Sequence, residues 1–488
     1  MMRRRLVIMV VASGTAAWCA LLAGPGEAGA GVAPAGSAAA AVSWHTAIEV
    51  PGSAALNAGG DAEVRSVSCG AAGSCVAGGR YEDGSGHDQA FVASEKRGRW
   101  GKAVEVPGSG ALNVGGSATV NSVSCVSPGS CAAGGFYEDG SGYGRPFVVS
   151  EKNGRWGKAI EVPGSGALSV GGSADVNSVS CGSTGSCAAG GGYTDGAGHE
   201  QAFVVSEKNG RWGKAIKVPG SGALNAGGAA SISSVSCGAA GSCAAGGFYE
   251  EGSGHSQAFV ASEKNGRWGK AIKVPGSGKL NSGGEADVYS VSCGAARSCA
   301  AGGYYESSAG HEQAFVVNEK NGRWSKAIKV PGSGALNAGG NAQVRSVWCA
   351  SAGSCVAGGG YADGSGPVQA FVVSENKGRW GKAIKVPGSG ALNTGGYAAV
   401  ASVSCGSAGN CAAGGFYEDG SSHEQAFVVS EKNGRWGKAI EVPGSGALNV
   451  GGSAGVESVS CGSAGSCAAG GSYYDTSSHF QAFVVRRA

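Results

Sequence analysis

The chain has 488 residues, with 37 lysines and arginines against 34 aspartates and glutamates. That balance excludes the broad basic surplus of a nucleic-acid binder and gives no polybasic anchor for a membrane surface. Glycine, at 95 residues, is far above the usual share, but the even spacing of aromatic, valine and cysteine residues argues against disorder.

In chain order, residues 1–30 read as a signal peptide. Arg3, Arg4 and Arg5 form a basic start, "LVIMVVASGTAAWCALLAG" an apolar stretch, and "AGA" at 28–30 a small-residue cleavage site. The mature chain is expected to begin near Gly31 and to be secreted, as an extracellular monomer. No later run approaches the ~20 apolar residues of a membrane span, so no membrane insertion is expected. Without the leader, 34 basic and 33 acidic residues remain. Residues 31–42 read as an alanine- and glycine-rich linker.

From residue 43 onward the sequence repeats. Cysteine pairs fall at 69/75, 125/131, 181/187, 237/243, 293/299, 349/355, 405/411 and 461/467, each pair C-x5-C and each step 56 residues. Tryptophans keep the same step at 44, 100, 156, 212, 268, 324, 380 and 436. A fixed period of this length points to a propeller, a solenoid or an array. Within one copy, "VNSVSC" (176–181), "CAAGGGY" (187–193), "QAFVVSE" (201–207) and "RWGKAIKVP" (211–219) read as four short strands. The Asn-Gly turn at 209–210 joins the last two as a hairpin. No segment shows a useful helical period. The expected fold is all-β: an eight-bladed β-propeller with four antiparallel strands per 56-residue repeat.

The two ends of the repeat region are complementary. The last copy lacks its W-x-x-A-I-E-V strand, and Trp44–Pro51 is such a strand without the rest of its copy. The N-terminal strand is therefore expected to complete the last blade and close the ring. A linear solenoid would call for polar caps instead.

Sixteen cysteines remain after the leader. In an exported chain they read as eight hairpin disulfides: Cys69–Cys75, Cys125–Cys131, Cys181–Cys187, Cys237–Cys243, Cys293–Cys299, Cys349–Cys355, Cys405–Cys411 and Cys461–Cys467. The spacing is not that of a zinc knuckle, so neither a metal nor another cofactor is expected.

The loops after the second and fourth strands are the long ones, and in a propeller they share a face. Candidate ligand-binding residues recur there. Tyrosines stand at Tyr81, Tyr137, Tyr193, Tyr249, Tyr305, Tyr361, Tyr417 and Tyr473. An acid follows two residues later at Asp83, Asp139, Asp195, Glu251, Asp363, Asp419 and Asp475, with Ser307 the exception. The loop asparagines include Asn113, Asn225, Asn337 and Asn449, with Ser169 as a replacement. Each type also has a structural reading: tyrosines packed between blades, Asp-Gly pairs as turns, asparagines as loop caps. One histidine per blade is too widely spaced to build a shared metal site. The residue before "SVSC" differs from copy to copy (Arg65, Asn121, Asn177, Ser233, Tyr289, Arg345, Ala401, Glu457) and lies on the innermost strand.

The segment S-x-x-N-G-R-W, with Ser206, Gly210 and Trp212, resembles the Asp-box hairpin of sialidase-like propellers, although Lys208 stands where the Asp belongs. The whole repeat over 44–485 resembles repetitive secreted propellers of high-GC bacteria and, by analogy, propeller lectins with near-identical blades. The resemblance implies export and fold. No catalytic residue is assigned, because near-identical blades suit multivalent binding better than one reaction centre. The expected partner is a glycan or cell-surface polymer, or else an extracellular protein held by a structural scaffold, and not a nucleic acid. A polysaccharide hydrolase or lyase is the remaining alternative.

Overall fold

Each repeat becomes one blade, and blade three shows why. The computed structural model describes residues 43–488; the expected signal peptide and linker lie outside the described residues. The blade-three strands are Ala174–Ser183, Ser186–Thr194 and Glu200–Lys208, followed by a fourth strand in two pieces, Arg211–Trp212 and Ile216–Lys217. All pair antiparallel in sequence order; six of the other sheets repeat the arrangement, and the last has four strands drawn from both ends of the repeat region. The protein is an all-β, eight-bladed propeller.

The innermost strand carries "SVSC", and its serines join one blade to the next. Val235 and Cys237 donate their backbone N–H groups to the hydroxyls of Ser178 and Ser180 in the preceding blade, at 3.0 and 2.9 Å. The inner strands of neighbouring blades are thus bridged by side-chain oxygens. The glycines after the second cysteine let these strands approach. A Cβ on Gly191 would lie 1.9 Å from the Asp175 carbonyl oxygen, and one on Gly190 would lie 2.9 Å from Ile232 of the next blade. Further out, the blade interfaces are apolar. Phe203, Val205, Ala189 and Tyr193 pack with Val148 and Val162 of the blade before.

The ring closes through its two ends. Ile48–Glu49 pairs with Phe480–Arg487, Ile48 opposite Val484 and Glu49 opposite Phe483. Val67 and Cys69 of blade one donate to Ser458 and Ser460 of blade eight, both at 2.9 Å. Blade eight therefore takes three strands from the C-terminal end and one from the N-terminal end. All eight expected disulfides are present, each between cysteines directly opposite in the first hairpin, with Cα–Cα distances of 3.9–4.0 Å.

Two local features differ from the sequence reading. The fourth strand is broken because Ala215 donates its amide to Pro163 of the preceding blade rather than to its own sheet. The following loop holds one helical turn, Ser221–Leu224, started by Gly220 at φ 77° and held by the Ser221 hydroxyl donating to the Val218 carbonyl. Four residues are too few to show a helical period.

Candidate functional site at the channel mouth

The repeated loop residues form a chain of hydrogen bonds. In blade three, Asn225 Nδ2 donates to the Glu200 carbonyl and to Gln201 Oε1, at 2.9 and 3.2 Å. Gln201 Nε2 donates to Asp195 Oδ2, while Asp195 Oδ1 accepts the amides of Ala197 and His199. The asparagine thus ties the loop after strand four to the loop after strand two. Although partial burial works the other way, these bonds hold the Asp195 carboxyl below the usual range. Asp83, Asp139, Asp419 and Asp475 are held down in the same way, and Asp363 first by the Ser365 hydroxyl.

Blade two keeps this chain with different residues. Arg145 replaces the glutamine and Ser169 the asparagine; Arg145 donates to Asp139 Oδ2 at 2.6 Å and to Ser169 Oγ at 3.2 Å. The longer arginine makes up for the shorter serine. In blade five Ser307 replaces the acid, and Gln313 Oε1 is left without a partner.

The repeated tyrosines lie between blades. Their relative exposure is 2–6 %, and Tyr193 meets Phe203 edge-on at 6.4 Å. Tyr137, Tyr417 and Tyr473 donate from Oη to Glu161, Glu441 and Glu49. Burial, together with the Asp195 charge, pushes the Tyr193 phenol up to about 12. Asn113, Asn225, Asn337 and Asn449 are buried as well. The parts of this set open to solvent are acids: the Asp83, Asp139 and Asp419 side chains are 29 %, 26 % and 30 % exposed.

Inward of the exposed loop tips, such as Gly84–His87, lie the positions at which blades differ. Between Val176 and Ser178 the pairing register shifts, leaving Asn177 as an unpaired bulge, and the same shift recurs in every blade. The varying residue is that bulge, and a bulge re-aims its side chain. It stands just before the Ser-Val-Ser-Cys segments that line the central channel. Arg65 donates to Asn121 Oδ1 of the next blade at 3.0 Å, and Asn121 donates to the Val176 carbonyl of the blade after that. The bulge residues of blades one to three thus reach across to the next blade at the mouth.

Four neighbouring positions in each blade vary too, a pattern visible between the copies but passed over in the sequence reading. In blade one Arg80 pairs with Asp61, Glu63 and Asp88 at 2.6–2.8 Å. In blade five Tyr289 meets Tyr304 at 5.3 Å beside Asp287, whose carboxyl is raised to about 7 by burial. Across blades six and seven, Arg345 lies 5.8 Å from the Phe416 ring centre and donates to Tyr397 Oη at 3.4 Å. Tyr397 stacks on Phe416 at 5.6 Å and is 41 % exposed.

Between blades two and three the same positions hold glycine. Gly192 and Gly144 stand where blades one and five carry Arg80 and Asp88, or Tyr304 and Glu312. The space they leave is a cavity of about 450 Å³ lined by Phe136, Glu138, Asp175 and Glu200. Burial raises Asp175, and burial with repulsion from Asp175 raises Glu200. Two carboxyls with raised values facing one cavity can exchange a proton with a bound group.

No protein-family model and no curated protein matches the chain. Among solved structures, the BP39L lectin of Burkholderia pseudomallei is similar at 14 % identity and a TM-score of 0.43, over 78 % of this chain and 99 % of that one. A PL25 ulvan lyase is similar at 11 % identity and 0.39, over 87 % and 94 %. The Hadza microbial sialidase Hz136 is similar at 10 % identity and 0.36, over 73 % of each. At these values the similarities carry no argument about ligand or chemistry.

Proposed function

We propose that the protein is a secreted binding protein for a glycan or surface polymer, engaged on the face that carries the long loops. The observation behind this reading is that the positions at which the blades differ gather around the channel mouth of that face. They set exposed aromatic rings beside hydrogen-bonding groups, the combination that orients a polar ring ligand. The Tyr–Asp–Asn set contributes by holding the loops in place and through its exposed carboxylates. Eight equivalent loops on one disc would add avidity on a repetitive polymer. The eight disulfides suit an oxidising compartment, and no helix of the described residues is long and apolar enough to cross a membrane.

A glycan and cell-wall polysaccharide array with the oxidised protein tests this reading. A hit is expected, and Tyr397→Ala with Arg345→Ala should weaken it about tenfold, the cost of roughly one good contact. A stoichiometry above one would assign contact to the repeated loops, and a value of one to the mouth. A blank array would move the reading to a protein-binding scaffold. The Asp175–Glu200 cavity favours a second reading, a polysaccharide hydrolase or lyase. Release of reducing or unsaturated ends, abolished by Asp175→Asn or Glu200→Gln, would establish it.

A further inference from the structure

The near-zero net charge hides a division between the two faces. The short turns within each blade meet on the face opposite the long loops: Gly210 of the second hairpin donates its amide to Gly185 of the first, and blades one to seven all make this bond. The second hairpin turn carries Lys-Asn-Gly-Arg or a close variant in blades one to seven, so each of these adds cations to this face. Sixteen lysines and arginines are exposed there, among them Lys152, Arg155, Lys208, Arg211 and Arg297. No carboxylate is exposed beside them. The seven glutamates of this region, such as Glu207, are 2–4 % exposed, and five of them accept hydrogen bonds from the preceding blade. Every ion pair among the described residues involves other parts of the molecule. The cations of this face therefore meet no exposed carboxylate, and the acids that feel them, Glu95, Glu151, Glu207 and Glu319, are buried beneath.

The face is also grooved. Clefts open between blades, one of about 450 Å³ bordered by Lys96, Arg97 and Asn153, and one of about 620 Å³ bordered by Lys320, Lys377 and Arg379. The first takes its cations from blade one and the second from blades five and six, and buried glutamates, Glu95 and Glu151 or Glu319 and Glu375, line their walls beneath the cations. A chain bearing regularly spaced anions could cross several clefts in succession, releasing counterions at each. The tryptophans beside the turns offer nucleic-acid bases little to stack on: they are partly exposed or, at Trp44, buried, and five of their indole N–H groups are bonded to the blade before, while the exposed Trp348 lines the channel.

We propose that the short-turn face is a docking surface for an acidic polysaccharide, one bearing carboxylate, sulfate or phosphate along its length. It shares no residue with the long-loop site, and the two readings stand or fall separately.

The test is binding of the oxidised protein to immobilised dextran sulfate and polygalacturonate, with neutral dextran, duplex DNA and poly(dT) alongside. The expected result is binding to the two acidic polysaccharides that weakens about tenfold or more between about 50 and about 200 mM salt. The combined variant Arg155→Ala, Arg211→Ala, Arg267→Ala and Arg323→Ala should lose it at least as steeply. These side chains are exposed, and an unchanged melting temperature would verify the fold. Lys279→Ala, which removes an exposed cation from a helical turn outside this face, should bind as the parent does. Salt-independent binding, equal binding to neutral dextran, or full binding by the fourfold variant would overturn the proposal. Tighter binding to DNA than to either polysaccharide would overturn the polysaccharide assignment.

Discussion

Ser180 shows how much of this ring rests on a hydroxyl. Its oxygen is the acceptor for the Cys237 amide of the next blade, so Ser180→Ala leaves a half-buried donor without its protein partner. A loss of about 0.5–1.5 kcal/mol is expected, read as a lower denaturant midpoint, with Ser180→Thr restoring most of it. Blade six carries a natural contrast: Trp348 stands in place of this serine, and its indole donates instead to the Cys405 carbonyl at 3.1 Å. The buried glutamates make a second residue-scale prediction. Burial raises Glu95, Glu151, Glu207, Glu263, Glu319, Glu375 and Glu431. A carboxyl whose folded value lies above its unfolded one stabilises fully below the unfolded value and loses that effect as pH rises through the raised value. The lowered turn aspartates act in the opposite sense, their contribution vanishing as pH falls through their lowered values. Melting temperature should therefore peak near about pH 5 and fall towards both pH 3 and pH 8. Equal melting at pH 5 and pH 8 would mean that the glutamates ionise freely. The alternation in "SVSC" gives the pleat of Ser180 from sequence, but alternation names a face and not a partner, so the bond to the next blade became visible only with both blades in place.

At the scale of elements, closure is the feature most open to test. Trp44 bridges to Arg487, and Ile48–Glu49 completes the blade-eight sheet. Removing residues 43–51 should expose the edge of Phe480–Arg487 and the apolar surface of blade eight, lowering the melting temperature by well over ten degrees, roughly the effect of several kcal/mol. An unchanged value would refute closure. Thiol titration of the oxidised protein should find the sixteen cysteines from 69 to 467 unreactive. Reduction should destabilise by ~2 kcal/mol per hairpin at most, because each disulfide closes a short loop. The strands and their order were legible because turn residues and a fixed period mark them. The bulge at Asn177 was not, since a register shift is a relation between two strands and the sequence of one strand does not contain it. The break in the fourth strand has the same origin: Ala215 bonds outside its own blade.

For the whole molecule, the count of charges misled and the position of charges informs. A net charge near zero is the sum of a cationic short-turn face and an acid-rich half that holds the mouth, the loops and the paired Asp175 and Glu200. The sequence already places the Lys-Asn-Gly-Arg turns opposite the long loops; what it does not contain is the burial of the glutamates that immediately precede those turns, such as Glu207, which leaves cations as the only charges exposed there. The mouth itself was half legible. The varying column at Arg65, Tyr289 and Arg345 was visible, but its meeting with Tyr397 and Phe416 needed the ring. A disc with opposite charge on its two sides is a permanent dipole along its own axis. Near a negatively charged wall the field would turn it before contact, as a compass needle turns, so that molecules settle in one orientation. The cationic side would lie down on the wall, and the mouth with its aromatic rings would face outward, open to whatever diffuses past.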